Sequence, residues 1–384
     1  MKKVILMIDT SGASGRQFLR GIGHYIHTRQ DWELYIQPPH YLSTNKTDTS
    51  QWTLPKQTNG IIVRDSPQLQ HILNLDIPKI IFESRREFFR GITTVRCEHN
   101  NISKMAVEHF VGLGFINFAY CGCAGLDWSN ERCSAYEKIL ESYNISTLFH
   151  YSSLPSTGNF EQEKDNISKW LVTLPKPLCI FACNDDRGIY VLEACKSAGL
   201  NVPEEVAVLG VDNDELICNL SSPALSSIKL GFERAGYEAA GELERQMNGG
   251  KPTANIVVKT QCLIKRQSSD FIAVSDADIK KALIFIRENF QKPIQVKNVV
   301  NHTGLSRRML ERRFKNLLKM SINDEINRLR IENIKLKLMN SHITIGKIAE
   351  SLEYTDSEHF SRFFKELTSH SPTEYRRLYG NITG

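Results

Sequence analysis

Six short apolar runs, separated by longer polar stretches, place the tightest limit on the fold of roughly the first 270 residues. They are KVILMID (3–9), GIIV (60–63), KIIFE (79–83), NFAYCG (117–122), LCIFACN (178–184) and VAVLGVD (206–212). A run that is apolar at successive positions reads as a strand buried on both faces. Helical patterns lie between several of the runs, among them an amphipathic stretch from about Arg16 to Thr28, and supply the covering layers. The reading is an α/β fold built on parallel sheets. Its length exceeds one such unit, so two lobes are expected. Ligands on such sheets bind beyond the carboxyl ends of the strands.

The pattern changes near 262–276. LIKRQSSD closes the α/β part, and AVSDADIKKALIFIRENF opens an amphipathic helix. From there only helices are read, with breaks at Pro293, Gly304, Asn340–Ser341, Thr355–Asp356 and Pro372. The charge is uneven as well. Residues 271–384 hold 20 Lys+Arg and 13 Asp+Glu, a net of +7, against a net of −2 for residues 1–270. A basic tail on a near-neutral body points to a polyanionic partner.

In the tail, Ser306 reads as the N-cap of a helix with Leu310, Phe314 and Leu317 packing inward. Arg308, Glu311 and Arg312, spaced i, i+3 and i+4, share the outer face. Val296 to His302 reads as the supporting helix of a helix-turn-helix, whose second helix enters the major groove of DNA. Arginine suits that position because it can grip guanine O6 and N7 with two bonds. The design returns at Ser357–Phe364, where Ser357 is read as the cap, Phe360 and Phe364 point inward, and Glu358, Ser361 and Arg362 face outward. Thr344 to Leu352 reads as the second supporting helix. Leu310 and Phe360 are 50 residues apart, and a helix over about 322–340 joins the two units.

Other classes are excluded. Hydrophobic residues are 41% and charged residues 24%, an ordinary globular composition, and no apolar run reaches the length of a membrane span. The apolar run after MKK breaks at Asp9 and reads as a first strand, not a signal peptide, so a cytoplasmic location is expected. The nine cysteines form no C-x-x-C pair and no zinc spacing, so reduced thiols and no metal are expected. Gly12-x-x-Gly15 and Gly21-x-Gly23 lack the third glycine of a dinucleotide site, and Gly15 is followed by Arg16-Gln17 where a phosphate loop needs Lys. No nucleophile elbow or H-E-x-x-H is present, and an enzyme is not expected.

Polar residues do stand where a ligand crevice needs them. Arg16 follows the first strand. Trp128 and Arg132 follow NFAYCG, Asn184 and Asp185 end the run IFACN, and Asp212 ends VLGVD. Carboxylates, amides and arginine can pair with neighbouring sugar hydroxyls, and an aromatic ring can cover a sugar face. The competing role for an Asp or Asn after a strand is to cap the next helix.

Two resemblances cover the chain. Residues 276–380 resemble the AraC/XylS-type DNA-binding domain through GLSRRMLERRFK, INRLRIENIKL, ITIGKIAESLEYTDSEHFSRFFKE and SPTEYRR. That resemblance implies Arg308, Glu311, Arg312, Glu358, Ser361 and Arg362 as base readers, and Arg307 and Lys315 as phosphate contacts. The first supporting helix departs from the family at Asn298–Val300, the connector at Ile334 and the second reading helix at Glu358. Residues 1–268 resemble the periplasmic-binding-protein-like sensor of LacI-type repressors through AVEHFVGLGFINFAYCG, CIFACNDDRGIYVLEACKSAGLNVPEEVAVLGVDNDEL and LSSPALSSIKLGFERAGYEAA. It implies effector contacts at Arg132, Asn184 and Asp212, with Arg16 and Glu98 as further candidates. At Glu98–His99 the family usually has Asp-Asn.

The order of the two parts resembles the xylose-operon activators. This implies a sensor over 1–268, a linker over 269–276 and a DNA-binding domain over 277–384. It also implies D-xylose as effector, a homodimer, promoter DNA and RNA polymerase as partners, no cofactor, and a sugar-driven closing of the lobes that repositions the reading helices. The residues themselves leave open another sugar, a repressor of the same architecture, or a sugar-processing enzyme with a DNA-binding tail.

Overall fold

The computed structural model describes residues 1–27, 31–36, 57–65, 69–82, 89, 91–153, 160–253, 255–340, 343–354 and 356–380. Thr28, Glu83, Ser341 and Thr355, at the edges of segments read above, lie outside the described residues. Within them the chain forms, in order, β1 (Lys2–Met7), α1 (Ala13–His27), β2 (Trp32–Ile36), β3 (Gly60–Arg64), α2 (Leu69–Leu73), β4 (Lys79–Phe82), β5 (Thr93–Cys97), α3 (His99–Gly112), β6 (Asn117–Cys123), α4 (Asp127–Ser142), β7 (Leu148–Ser153), α5 (Phe160–Val172), β8 (Leu178–Ala182), α6 (Asp185–Ser197), β9 (Val206–Val211), α7 (Glu215–Leu220), β10 (Ser226–Leu230), α8 (Phe232–Met247), β11 (Ile256–Val258) and β12 (Thr260–Ile264). Helices alone follow: α9 (Ala277–Asn289), α10 (Val296–Thr303), α11 (Arg307–Leu318), α12 (Ile322–Asn340), α13 (Ile345–Glu350), α14 (Ser357–Thr368) and α15 (Pro372–Tyr379).

Two compact units result. The first takes residues up to Glu98 and returns for Leu230–Thr260; the second holds His99–Lys229 and Gln261–Gly380. The first unit carries a six-stranded sheet in the order β11-β5-β4-β3-β1-β2, parallel at every step. β3 and β4 lie mid-sheet and are buried along almost their whole length, as their unbroken apolar runs require, whereas the edge strand β2 buries mainly Trp32. Helices α1 and α8 cross backbone against backbone. A Cβ on Gly21 would collide with the Glu233 carbonyl, and one on Gly236 with the Phe18 carbonyl. Gly21, half of the incomplete glycine signature, is therefore a packing residue. Helix α1 begins at Ala13, before the expected start, so Arg16 sits within its first turn.

The second unit holds a sheet in the order β12-β10-β9-β8-β6-β7, parallel from β10 through β7. β8 and β9 are wholly buried. The C-terminal helices pack on this lobe. Ala273 donates its N–H to the Leu113 carbonyl at 2.7 Å. The Tyr375 hydroxyl donates to the Gln261 carbonyl at 3.1 Å, and the Gln261 amide donates to the Tyr379 carbonyl at 3.0 Å. Cys262 of β12 lies in one core with Ile334, Leu338, Phe360, Phe364 and Tyr375. At the end of α3, a Cβ on Gly112 would press on the Arg328 guanidinium at 3.0 Å. Arg328 in turn makes two bonds to Glu325, whose side chain is fully buried, and one to Glu332 at 2.8 Å.

Candidate effector site and nucleic-acid interface

Three loops of the second unit leave the carboxyl ends of neighbouring strands β6, β8 and β9, and the expected effector residues of this unit sit on them or on the helices they open. Trp128 and Arg132 are one turn apart on α4, which stacks the Arg132 guanidinium 5.4 Å from the centroid of the indole ring. Arg132 is 2% exposed. One of its terminal nitrogens donates to the Cys183 carbonyl, while Nε has no hydrogen-bond partner among the described residues. A buried guanidinium with an unused donor is costly unless something else accepts from it.

Asn184, just beyond β8, is the N-cap of α6: its Oδ1 accepts from the Arg187 N–H at 3.0 Å and its Nδ2 donates to Asp186 at 3.1 Å. The capping role weighed in the sequence is present here. It leaves the half-buried side chain at the strand end. Asp212 follows β9 with φ 101°, and Asn213 with φ 49°. Two adjacent non-glycine residues in that region are strained and persist only where the surroundings hold them. The holder is Asp185, which the sequence reading set beside Asn184 among the polar residues of the crevice. Its fully buried carboxylate accepts from the Ser227 hydroxyl at 2.5 Å and from the Asp214 N–H at 2.7 Å. Burial pushes its pKa up to about 7, against the pull of these donors. Arg187 was missed. It donates to the Gly122 carbonyl at 2.9 and 2.7 Å and pairs with buried Glu163 at 2.6 Å, tying the end of β6 to α5 and α6. Its adjacency to Asn184 and Asp185 in CNDDR was the available signal.

In the first unit, Arg16 donates to the Thr10 and Ser11 carbonyls at 2.9 and 2.5 Å and so closes the loop after β1. Glu98, half-buried after β5, lies 3.6 Å from Lys259. Among the described residues no cluster of three or more His, Cys, Asp or Glu could hold a metal ion, and no helix is long and apolar enough to cross a membrane.

The two reading units share one plan. In the first, α10 ends on Gly304 at φ 72°, and the Ser306 hydroxyl caps α11 by accepting from the Met309 N–H. Arg307, Arg308, Arg312 and Lys315 are exposed, and Arg307 pairs with half-buried Glu311 at 2.8 Å. Leu310 and Phe314 are fully buried as expected, but Leu317 is 41% exposed, and Leu318 takes the third inward position. The buried face is centred on Phe314, from which Leu310 and Leu318 each lie about 40° around the helix axis and Leu317 about 60°. In the second unit Phe360 and Phe364 are fully buried, Glu358 and Arg362 are exposed, and Ser361 is half-buried. Its cap is Asp356, which accepts from the Glu358 N–H at 2.8 Å, and Ser357 is the first helical residue. The likeness also runs past the reading helices. Lys319 and Ser369 both end their helices at positive φ, and Ser321 with Asp324 and Ser371 with Glu374 bond reciprocally at the next helix start. Arg313, read only as part of a basic run, pairs with Asp276 and Asp278 and fastens α11 to α9.

Residues 107–269 match the periplasmic binding protein-like domain family, and residues 299–378 match a helix-turn-helix domain family. The chain is 29% identical to a xylose operon regulatory protein of Haemophilus influenzae over 97% of this chain and 98% of that protein. It is 27% identical to a xylose operon regulatory protein of Escherichia coli K12 over 99% and 98%. A solved xylose-binding transcription activator aligns over 99% of this chain at TM-score 0.62 and 26% identity. A LacI family regulator from Enterococcus faecium, solved with ribose, shares the fold over 70% of this chain at TM-score 0.56 and 18% identity. Fold and reading helices together define a DNA-binding transcription regulator that joins a periplasmic-binding-protein-like sensor to a double helix-turn-helix reader. Over nearly its whole length the chain is similar to the xylose operon regulatory proteins and to the solved xylose-binding activator.

Proposed function

We propose that this regulator responds to D-xylose and, as a cytoplasmic homodimer, activates transcription of pentose-utilisation genes through RNA polymerase. The observation that carries the effector reading is the buried Arg132 with its unused Nε donor beside Trp128. Asn184 and Asp212 stand on the neighbouring loops. A guanidinium, an amide and a carboxylate against an aromatic plane match adjacent hydroxyls over an apolar sugar face. Arg16 and Glu98, both in the first unit, are further candidates for effector contact. The full-length relatives named for xylose support that sugar over other pentoses. The sensor acts by binding without turnover, so no cofactor is required. Effector control requires that the sugar bind one state of the chain more tightly than the other.

On DNA, Arg308, Glu311 and Arg312 read bases from α11, and Glu358, Ser361 and Arg362 from α14. Arg307 and Lys315 meet phosphates. In the free chain Arg307 holds Glu311, so binding exchanges that ion pair for DNA contacts.

Calorimetric titration of the purified chain with D-xylose, beside L-arabinose, D-ribose and D-glucose, tests the effector. One site per chain for xylose, lost in Arg132→Ala and Asp212→Ala, is the expected result. Heat from another sugar and none from xylose would overturn the named effector.

A further inference from the structure

Cys123 ends β6, and Cys183 lies just past the end of neighbouring β8. The Cys183 thiol donates toward the Cys123 sulfur with the two sulfurs 3.7 Å apart. Cys183 is fully buried, while Cys123 is half-buried. The Cys183 backbone carbonyl is the one that anchors Arg132, and Asn184 is the next residue. We propose that Cys123 and Cys183 form an oxidant-reactive dithiol, with Cys123 attacking a hydroperoxide and Cys183 resolving the product as a disulfide.

Three features separate this pair from the other thiols. The first is reach: bonded sulfurs lie about 2.05 Å apart, so closing the pair requires about 1.7 Å of side-chain movement between adjacent strand ends. The second is activation. The hydrogen bond from Cys183 lowers the Cys123 pKa to about 7 against the effect of burial, and the Arg187 guanidinium, held on the Gly122 carbonyl, lowers it further while Asp186 opposes. Burial moves four of the other thiols upward: Cys121, Cys195 and Cys262 to about 12, and Cys133 to about 11. The third is division of labour: an accessible thiolate beside a buried partner is the arrangement of a redox-sensing pair, and transient disulfides of that kind occur in reducing compartments.

The chemistry balances. The Cys123 thiolate attacks the hydroxyl oxygen of the hydroperoxide, the O–O bond breaks, and the departing alkoxide takes a proton to leave as alcohol, or as water when the oxidant is hydrogen peroxide. Cys123 is then a sulfenic acid. The Cys183 sulfur attacks the Cys123 sulfur, the S–O bond breaks, and the thiol proton leaves with the hydroxide as water. The two sulfurs together lose two electrons, and the peroxide gains them.

The test is peptide mapping of the full chain at neutral pH before and after a small excess of hydrogen peroxide, under native conditions. The expected result is a crosslink between the peptides carrying Cys123 and Cys183, with the loss of two titratable thiols per chain and their return on reduction. In Cys183→Ser, dimedone should trap a sulfenic acid at Cys123 instead. Oxidation that reaches other thiols first, or that takes Cys123 to sulfinic acid in the wild-type chain with no crosslink, would overturn the proposal. The wild-type map decides the matter even if a variant folds poorly.

Discussion

The two reading units have the same outline and are built into the molecule differently. The first closes its core from its own neighbourhood. Leu310, Phe314 and Leu318 of α11 meet Val299 of α10 and Ile279, Leu283 and Ile286 of α9, and Arg313 ties α11 to Asp276 and Asp278. The second takes part of its core from the sensor. Phe360, Phe364 and Tyr375 pack with Ile334 and Leu338 of α12 and with Cys262 of strand β12. The outer faces differ as well: α11 presents three exposed arginines and a lysine, whereas α14 presents Arg362 and Lys365 beside the acidic Glu358 and Glu366. The first unit packs on its own helices, and the second shares its core with sensor strand β12. Helix α12 serves both, since Glu325 and Arg328 on it meet the end of α3.

The junction on α12 should give the largest effect when broken. Arg328→Ala leaves Glu325 buried without its partner and is expected to cost about 3–5 kcal/mol. Chemical denaturation of the full chain measures it, and an unchanged midpoint would mean that the α3–α12 contact does not fasten reader to sensor. Next in size is the core of the first unit. Leu318→Ala should destabilise by about 2–5 kcal/mol, whereas Leu317→Ala, on the exposed side, should stay within about 0.5 kcal/mol. The reverse order in the same denaturation experiment would return the inward position to Leu317. For DNA, Arg312→Ala should cost about 1–3 kcal/mol on the specific site, while Lys315→Ala should weaken all sequences alike and lower the salt slope by about one. Equal losses for Arg312→Ala on specific and non-specific DNA would make it a phosphate contact. The smallest effect concerns the second unit's cap: Asp356→Ala is expected to cost about 1 kcal/mol, and Ser357→Ala within about 0.5 kcal/mol. Equal midpoints for the two variants would remove the distinction between the caps.

Much of this was legible in the residues, and the limits of legibility have physical causes. β1, β3, β4, β6, β8 and β9 were visible because strands covered on both faces must be apolar at successive positions. β5, read from TTVRC, was invisible for the opposite reason. Thr93 and Thr94 are buried because their hydroxyls donate to the Thr253 carbonyl at 3.1 Å and the Asn255 side chain at 2.6 Å, about 160 positions later. β10 is a similar case, with Ser226 and Ser227 buried against Arg266 and Asp185. The edge strands β2 and β7 carry mixed residues because much of their length is not covered.

The sequence by itself determined that parallel sheets precede a basic helical reader, because continuous apolar runs, helical periodicity and clustered arginine are local properties of the chain. It also placed Asn184 and Asp212 at the ends of apolar runs, and Arg132 on the helical pattern that follows another. Only the tertiary structure decided which of those side chains keeps an unused donor, that Asp185 holds the strained turn at Asp212, and that β12 belongs to the sheet and to the second reader core together. Those outcomes depend on which buried polar groups find partners. Partners supplied by strands and helices far along the chain leave no pattern in the residues beside them.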